Sequence, residues 1–189
     1  MNCAASSDSI ILNMNRTIAL VGLMGVGKST VGRRLATRLA LPFADGDHEI
    51  ESAAGMTVSE IFSSRGEGEF RSGEARVMKR LLEGPPVILA TGGGAMMNAE
   101  TRSLLSSHAV VVWMRADLDV IAERVSRRDT RPLLRNKDPL EVLRGLAEKR
   151  YPIYAEADVT VDVGVGSHGA AVEAVIQELK HYALTRTGK

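Results

Sequence analysis

One stretch constrains this chain more than any other. Gly22-Leu-Met-Gly25-Val-Gly27-Lys28-Ser29-Thr30 matches the spacing G-x-x-x-x-G-K-[ST] and follows the apolar run Thr17-Ile-Ala-Leu-Val21 directly. Such a loop needs a strand to deliver it and a helix to receive it, and Val31, Leu35 and Leu39 recur behind it at helical spacing. The glycines let consecutive backbone N–H groups turn inward around a phosphate. The helix N-terminus adds its unpaired N–H groups and positive dipole end. Gly25, Val26, Gly27, Lys28, Ser29 and Thr30 are therefore expected to hold a nucleotide phosphate, with Lys28 reaching the outer phosphates and Ser29 ligating Mg²⁺. An ordinary glycine-rich turn would not need strand, loop and helix in that order.

The rest of the chain repeats the alternation. A very short strand from Pro42 ends in Asp45 and Asp47, and Thr57-Val-Ser-Glu60 is a capping box that opens a short helix through Phe62. A loop over residues 64–69 leads into a longer helix from Phe70 to Glu83, stopped by Gly84-Pro85-Pro86. Residues 87–90 form a buried strand that ends in Thr91-Gly92-Gly93-Gly94, and a helix over 97–106 precedes Ala109-Val-Val-Val-Trp-Met114, the strongest strand signal in the chain. Asp117 can cap the next helix. Asp138-Pro139-Leu-Glu141 starts another, expected to reach Tyr154, before a last strand at 159–162 and a final amphipathic helix. This order predicts an α/β fold in three layers around a five-stranded parallel sheet, with ligands at the C-terminal strand ends. Three such ends carry chemically marked loops, which should converge on one cleft.

The 189 residues and 44% hydrophobic content suit a single domain, expected over 16–189 behind a flexible leader at 1–15. With 24 Lys plus Arg against 23 Asp plus Glu, the total charge points to neither a nucleic-acid nor a membrane surface. The single cysteine, Cys3, excludes an intrachain disulfide or a cysteine-based zinc site. No run approaches the roughly 20 apolar residues that span a bilayer. A cytoplasmic location is expected. The four histidines show no metal-ligand spacing.

Asp45 and Asp47 lie two residues apart, so on an extended segment both would face one side, where carboxylates beside a triphosphate can hold Mg²⁺ and accept a hydroxyl proton. As turn and helix-cap residues they would do neither. Residues 87–91 offer no acid of the usual Mg²⁺-holding kind, because Ala90-Thr91 stands where one would be sought, and this gives Asp45 more of the metal work. Arg71 opens a helix, where an arginine opposes the dipole, so it either binds a carboxylate or pairs on the surface with Glu67, Glu69 or Glu74. Gly92, Gly93 and Gly94 suit close backbone approach to a ligand, or a mere turn. The basic stretch over 126–137 is either a solvated face or a mobile cover that folds over the transferring phosphoryl group, with Arg131 the first candidate.

Taken together, these residues resemble the shikimate kinase family, from about Thr17 to the final helix. The specific part is an ordered set: the phosphate loop, Asp45-Gly-Asp47-x-x-Ile50-Glu51, Gly66-Glu67-x-x-Phe70-Arg71, Gly92-Gly-Gly94-Ala95, Arg131-Pro132-Leu133-Leu134, and Arg150-x-Pro152-x-Tyr154 followed by Ala157-Asp158. The resemblance implies a P-loop kinase fold like that of nucleoside monophosphate kinases, and transfer of the γ-phosphoryl group of ATP to the 3-hydroxyl of shikimate. Lys28, Asp47 and Arg131 would be catalytic. Asp47, Arg71, Gly92, Gly93, Gly94 and Arg150 would bind shikimate, Arg124 would lie near adenine, and Ser29 and Asp45 would serve Mg²⁺. The acceptor-binding subregion would cover about 47–74 and a lid about 126–137. ATP and shikimate are the implied substrates, and a monomer is expected. Gluconate-type or other small-molecule kinases on the same scaffold, and a non-catalytic nucleotide-binding protein, are the alternatives.

Overall fold

The computed structural model describes residues 3–126, 138–164 and 166–187. Strands β1 (Thr17–Val21), β2 (Phe43–Asp45), β3 (Ile88–Ala90), β4 (Ala109–Arg115) and β5 (Val159–Asp162) form one sheet in the order β2-β3-β1-β4-β5, every pair parallel. Around it lie helices α1 (Cys3–Leu12), α2 (Lys28–Leu39), α3 (Gly46–Ala54), α4 (Val58–Leu82), α5 (Ala99–His108), α6 (Leu118–Ser126), α7 (Pro139–Tyr154) and α8 (His168–Thr187). The expected α/β architecture is present.

Sequence dictates this layering. β1 is buried at every position and β4 at all but Arg115, and strands apolar along both faces are stable only when helices cover both. β5, at the sheet edge, alternates buried and exposed residues instead. α2 places Val31, Leu35 and Leu39 against the sheet as one stripe, and Asp138 caps α7 by accepting a hydrogen bond from Leu140 N at 2.9 Å. Register then sets the site. Leu20 and Asp45 both pair with Ala90, so β1, β3 and β2 end at one level and their loops leave side by side.

Three local expectations are corrected. The loop foreseen over residues 64–69 shrinks to a break at Gly66 (φ 80°, ψ 173°), a left-handed position that glycine adopts without the usual penalty, inside α4. The Thr57–Glu60 capping box is present at the start of that helix. Asp45 and Asp47 do not share an extended segment, because α3 begins at Gly46: Asp45 ends β2 and Asp47 lies in the first helical turn. The leader expected to be flexible carries α1, which buries Ile11 and anchors Asp8 to Arg38 Nε at 2.8 Å and Lys180 Nζ at 3.0 Å. Burial opposes the Asp8 charge, but the two cations outweigh it and hold its carboxyl below the ordinary value. No helix among the described residues is long and apolar enough to cross a membrane.

Candidate active site

The phosphate loop joins β1 to α2. Gly25 and Gly27 take φ values of 81° and 105°, and a Cβ at Gly25 would collide with Val125 of α6. Gly27 caps α2 in the left-handed region without a side-chain hydrogen bond, which leaves the first N–H groups of the helix for an anion. Lys28 Nζ donates to Gly22 O at 2.8 Å and Leu23 O at 3.0 Å, so its ammonium lies over the loop that Gly25, Val26 and Gly27 complete. Ser29 and Thr30 follow in the first turn of α2, half-buried. Arg124 reaches the same loop from α6. Its Nη2 donates to Gly164 O at 3.2 Å and its Nη1 lies 3.5 Å from Val26 O, so it spans the phosphate loop and the segment after β5.

Beside this loop, the triple glycine after β3 collects three side chains from three helices. A Cβ built at Gly92 would lie 2.6 Å from Asp47 Oδ1, one at Gly93 3.2 Å from Arg150 Nη1, and one at Gly94 2.7 Å from Arg71 Nη2. Each glycine is backed by a different residue of the expected acceptor site. The loop's carbonyls are engaged: Gly92 O accepts from Ala95 N, Gly94 O from Met97 N, and Gly93 O from Arg150 Nη1 at 2.8 Å and from the Tyr154 hydroxyl. Gly93 also lies close to the phosphate loop, since the Cβ position would be 3.5 Å from Met24 N.

Arg71 is only 25% exposed. It pairs with glutamates, as its surface alternative required, through Nη1 to Glu74 Oε2 at 2.6 Å and Nη2 to Glu67 Oε1 at 3.3 Å, yet its guanidinium also lies against Gly94 and 5.1 Å from the Phe70 ring. Glu74 is 1% exposed. Burial pushes its carboxyl above the ordinary value; Arg71 and Arg150 oppose that rise, and the charge of Asp47 adds to it. Asp47, Arg71, Glu74 and Arg150 are thus one electrostatic cluster.

Two residues of this site escaped the sequence reading as site residues. Glu74 entered only as a surface partner for Arg71, and Tyr154 only as a motif position. Their signals were the i,i+3 spacing from Arg71 and the i,i+4 spacing from Arg150, which put each pair on one helix face. Arg131, assigned to the lid, lies outside the described residues, as do the other positions of 127–137.

Known proteins resemble this chain along most of its length. Residues 24–180 match the family model for shikimate kinase. The shikimate kinase of Caulobacter vibrioides strain NA1000 is 58% identical over 174 residues, which cover 92% of this chain and 87% of the relative. That of Bradyrhizobium diazoefficiens is 55% identical over 178 residues, covering 93% and 86%. Among solved structures, a shikimate kinase from Acinetobacter baumannii in complex with shikimate superposes with a TM-score of 0.84 at 37% identity, covering 95% of this chain and 99% of that one. A gluconokinase from Sinorhizobium meliloti 1021, at TM-score 0.62 and 20% identity, covers 92% of this chain and 96% of its own and shares the fold alone. A phosphate loop set beside an arginine-flanked triple glycine, with these relatives along nearly its whole length, makes this chain a member of the shikimate kinase family.

Proposed function

We propose that this chain is a shikimate kinase, transferring the γ-phosphoryl group of ATP to the 3-hydroxyl of shikimate to give shikimate 3-phosphate. The observation that carries the reading is the triple glycine backed by Asp47, Arg150 and Arg71 one strand away from the phosphate loop. An acceptor with one carboxylate and three hydroxyls calls for planar cationic clamps, an acid for hydroxyls and bare backbone to approach a ring. Arg71 and Arg150 supply the clamps, Asp47 the acid, and Gly92, Gly93 and Gly94 the backbone.

ATP lies with its phosphates over Gly25 to Thr30 and its adenine toward Arg124. Asp47 holds the acceptor hydroxyl and takes its proton. Lys28, with Arg131 from the lid, neutralises charge on the transferring group, so positioning and electrostatics supply most of the catalysis. Among the described residues no three His, Cys, Asp or Glu side chains gather into a metal cage. The donors present, the Ser29 hydroxyl and the Asp45 carboxylate with no cap bond of its own, suit a cation that completes its shell with phosphate oxygens and water, as Mg²⁺ does. Bound there, Mg²⁺ supplies charge neutralisation at the phosphates. Residues 47–74 form the acceptor arm and 126–137 the lid, and the enzyme acts as a cytoplasmic monomer.

A coupled ADP-release assay with a panel of acceptors tests this. Turnover with shikimate and none with gluconate or nucleoside monophosphates is expected. The reverse pattern would replace shikimate as acceptor, and nucleotide binding without transfer to any acceptor would make the chain a non-catalytic binder.

A further inference from the structure

Two side chains of α7 share one acceptor atom. Arg150 Nη1 donates to Gly93 O at 2.8 Å, and the Tyr154 hydroxyl donates to the same oxygen. Residues four apart project from one helix face, so the pairing follows from the sequence spacing. Arg150 has a second task in the proposed reaction, because its guanidinium must also meet the carboxylate of the acceptor. Tyr154 has none so far.

Packing does not explain the Tyr154 hydroxyl. The residue is 1% exposed, and its ring lies 6.0 Å from that of Trp113 and 6.4 Å from that of Tyr151. Phenylalanine would fill that place equally well. Burial pushes the phenol above its ordinary pKa, although Arg150 opposes this, so it remains protonated and a donor through the working pH range.

A run of three glycines has no side chains to set its own direction, so the orientation of its peptides must come from outside the run. We infer that Tyr154 is a positioning residue for the acceptor: its hydroxyl holds Gly93 O, and with it the Gly93–Gly94 peptide, while Arg150 turns to the acceptor's carboxylate. The peptide is planar and trans, so fixing Gly93 O toward α7 aims the Gly94 N–H away from α7. That N–H belongs to the glycine against which Arg71 rests. Without Tyr154, each movement of Arg150 toward a carboxylate would leave Gly93 O without a donor, which a partly buried carbonyl resists. The phenol frees the arginine to act as a ligand.

This inference rests on shikimate being the acceptor. It is tested by steady-state kinetics of the full chain carrying Tyr154→Phe, measured beside the wild type. The variant should raise KM for shikimate by roughly 3- to 10-fold, the effect of one lost hydrogen bond. Its kcat, its KM for ATP and its melting temperature should stay close to wild type, the pattern of lost binding that is equal in ground and transition states. A merely structural hydroxyl would instead lower the melting temperature and leave the two KM values in their original ratio. An unchanged KM for shikimate in an active, folded variant, or equal rises in both KM values, overturns the positioning role alone. A wild type that does not turn over shikimate overturns the acceptor assignment and this inference with it.

Discussion

The Arg71 guanidinium occupies space that only a glycine at 94 leaves open: a methyl group there would stand 2.7 Å from Nη2 and 2.8 Å from Nη1. The contact joins α4 to the loop after β3, two elements separated in the chain by that strand. It also explains why the arginine is not a surface residue. Glu74 and Glu67 hold one edge of its guanidinium, Gly94 supports it from the side, and Gly92 and Gly93 repeat the arrangement for Asp47 and Arg150. Glycines in this run are therefore spacers for three separate side chains.

Gly94→Ala tests that relationship. The added methyl meets the far end of a flexible side chain, so the guanidinium should shift while the fold survives. We expect KM for shikimate to rise roughly 10-fold or more, as for a displaced charged hydrogen bond, with KM for ATP unchanged. Kinetics against both substrates check this, and an unaltered KM for shikimate would show that Arg71 does not bind the acceptor.

Arg71 itself should behave as a carboxylate clamp. Arg71→Ala should weaken shikimate binding by roughly 10- to 100-fold, the range for hydrogen bonds to charged groups, and leave ATP binding intact. Arg71→Lys should recover little, because an ammonium cannot reproduce a planar fork. Titration calorimetry with each substrate separates the cases, and equal weakening of both would contradict the assignment.

Lys28 and Asp47 should act on the chemical step. Lys28→Ala removes the cation that lies over the phosphate loop, and Asp47→Asn removes the proton acceptor while keeping the shape. Each should lower kcat by roughly 10²- to 10⁴-fold with little change in melting temperature. Single-turnover measurements check both, and near-normal turnover of Asp47→Asn would rule out Asp47 as an essential base.

Local pattern made the phosphate loop, the β4 strand and the caps at Thr57 and Asp138 legible, because each depends on residues within one turn or strand of one another. Long-range pairing was not legible. α1 is anchored through Asp8 to Arg38 and Lys180, and nothing in the polar leader announces those partners. Asp158, carried only as a motif position, accepts from Val111 N and from the Tyr182 hydroxyl, each at 2.9 Å, and so ties β4 and α8 to the start of β5. The side-by-side acids failed for a different reason. α3 starts at Gly46, between the two acids, and Gly46 packs where a Cβ would stand 2.6 Å from Met78 Cε, a long-range contact that the local pattern does not show.

Glu74 offers the sharpest pH test. Burial raises its carboxyl above the ordinary value of 4.5, and the Arg71 pairing offsets that rise only in part. In the unfolded chain the same group titrates near its ordinary value. Between the two pKa values the native state binds more protons than the unfolded state, so stability must fall as pH rises through that window. Glu74→Gln removes the titration. The wild type should therefore be most favoured over the variant at the acid end, and lose that advantage as pH climbs past the ordinary glutamate range. The variant should also bind shikimate more weakly at neutral pH, since an amide holds the Arg71 guanidinium less firmly than a carboxylate does. Melting temperatures of both proteins across the pH range, with KM for shikimate at neutral pH, check the pair of effects. A wild type that gains on the variant as pH rises would mean that Arg71 outweighs burial and that Glu74 stabilises the fold as an ion. The expected result instead makes it a buried carboxyl kept beside Arg71 to aim it, at some cost in stability as pH rises.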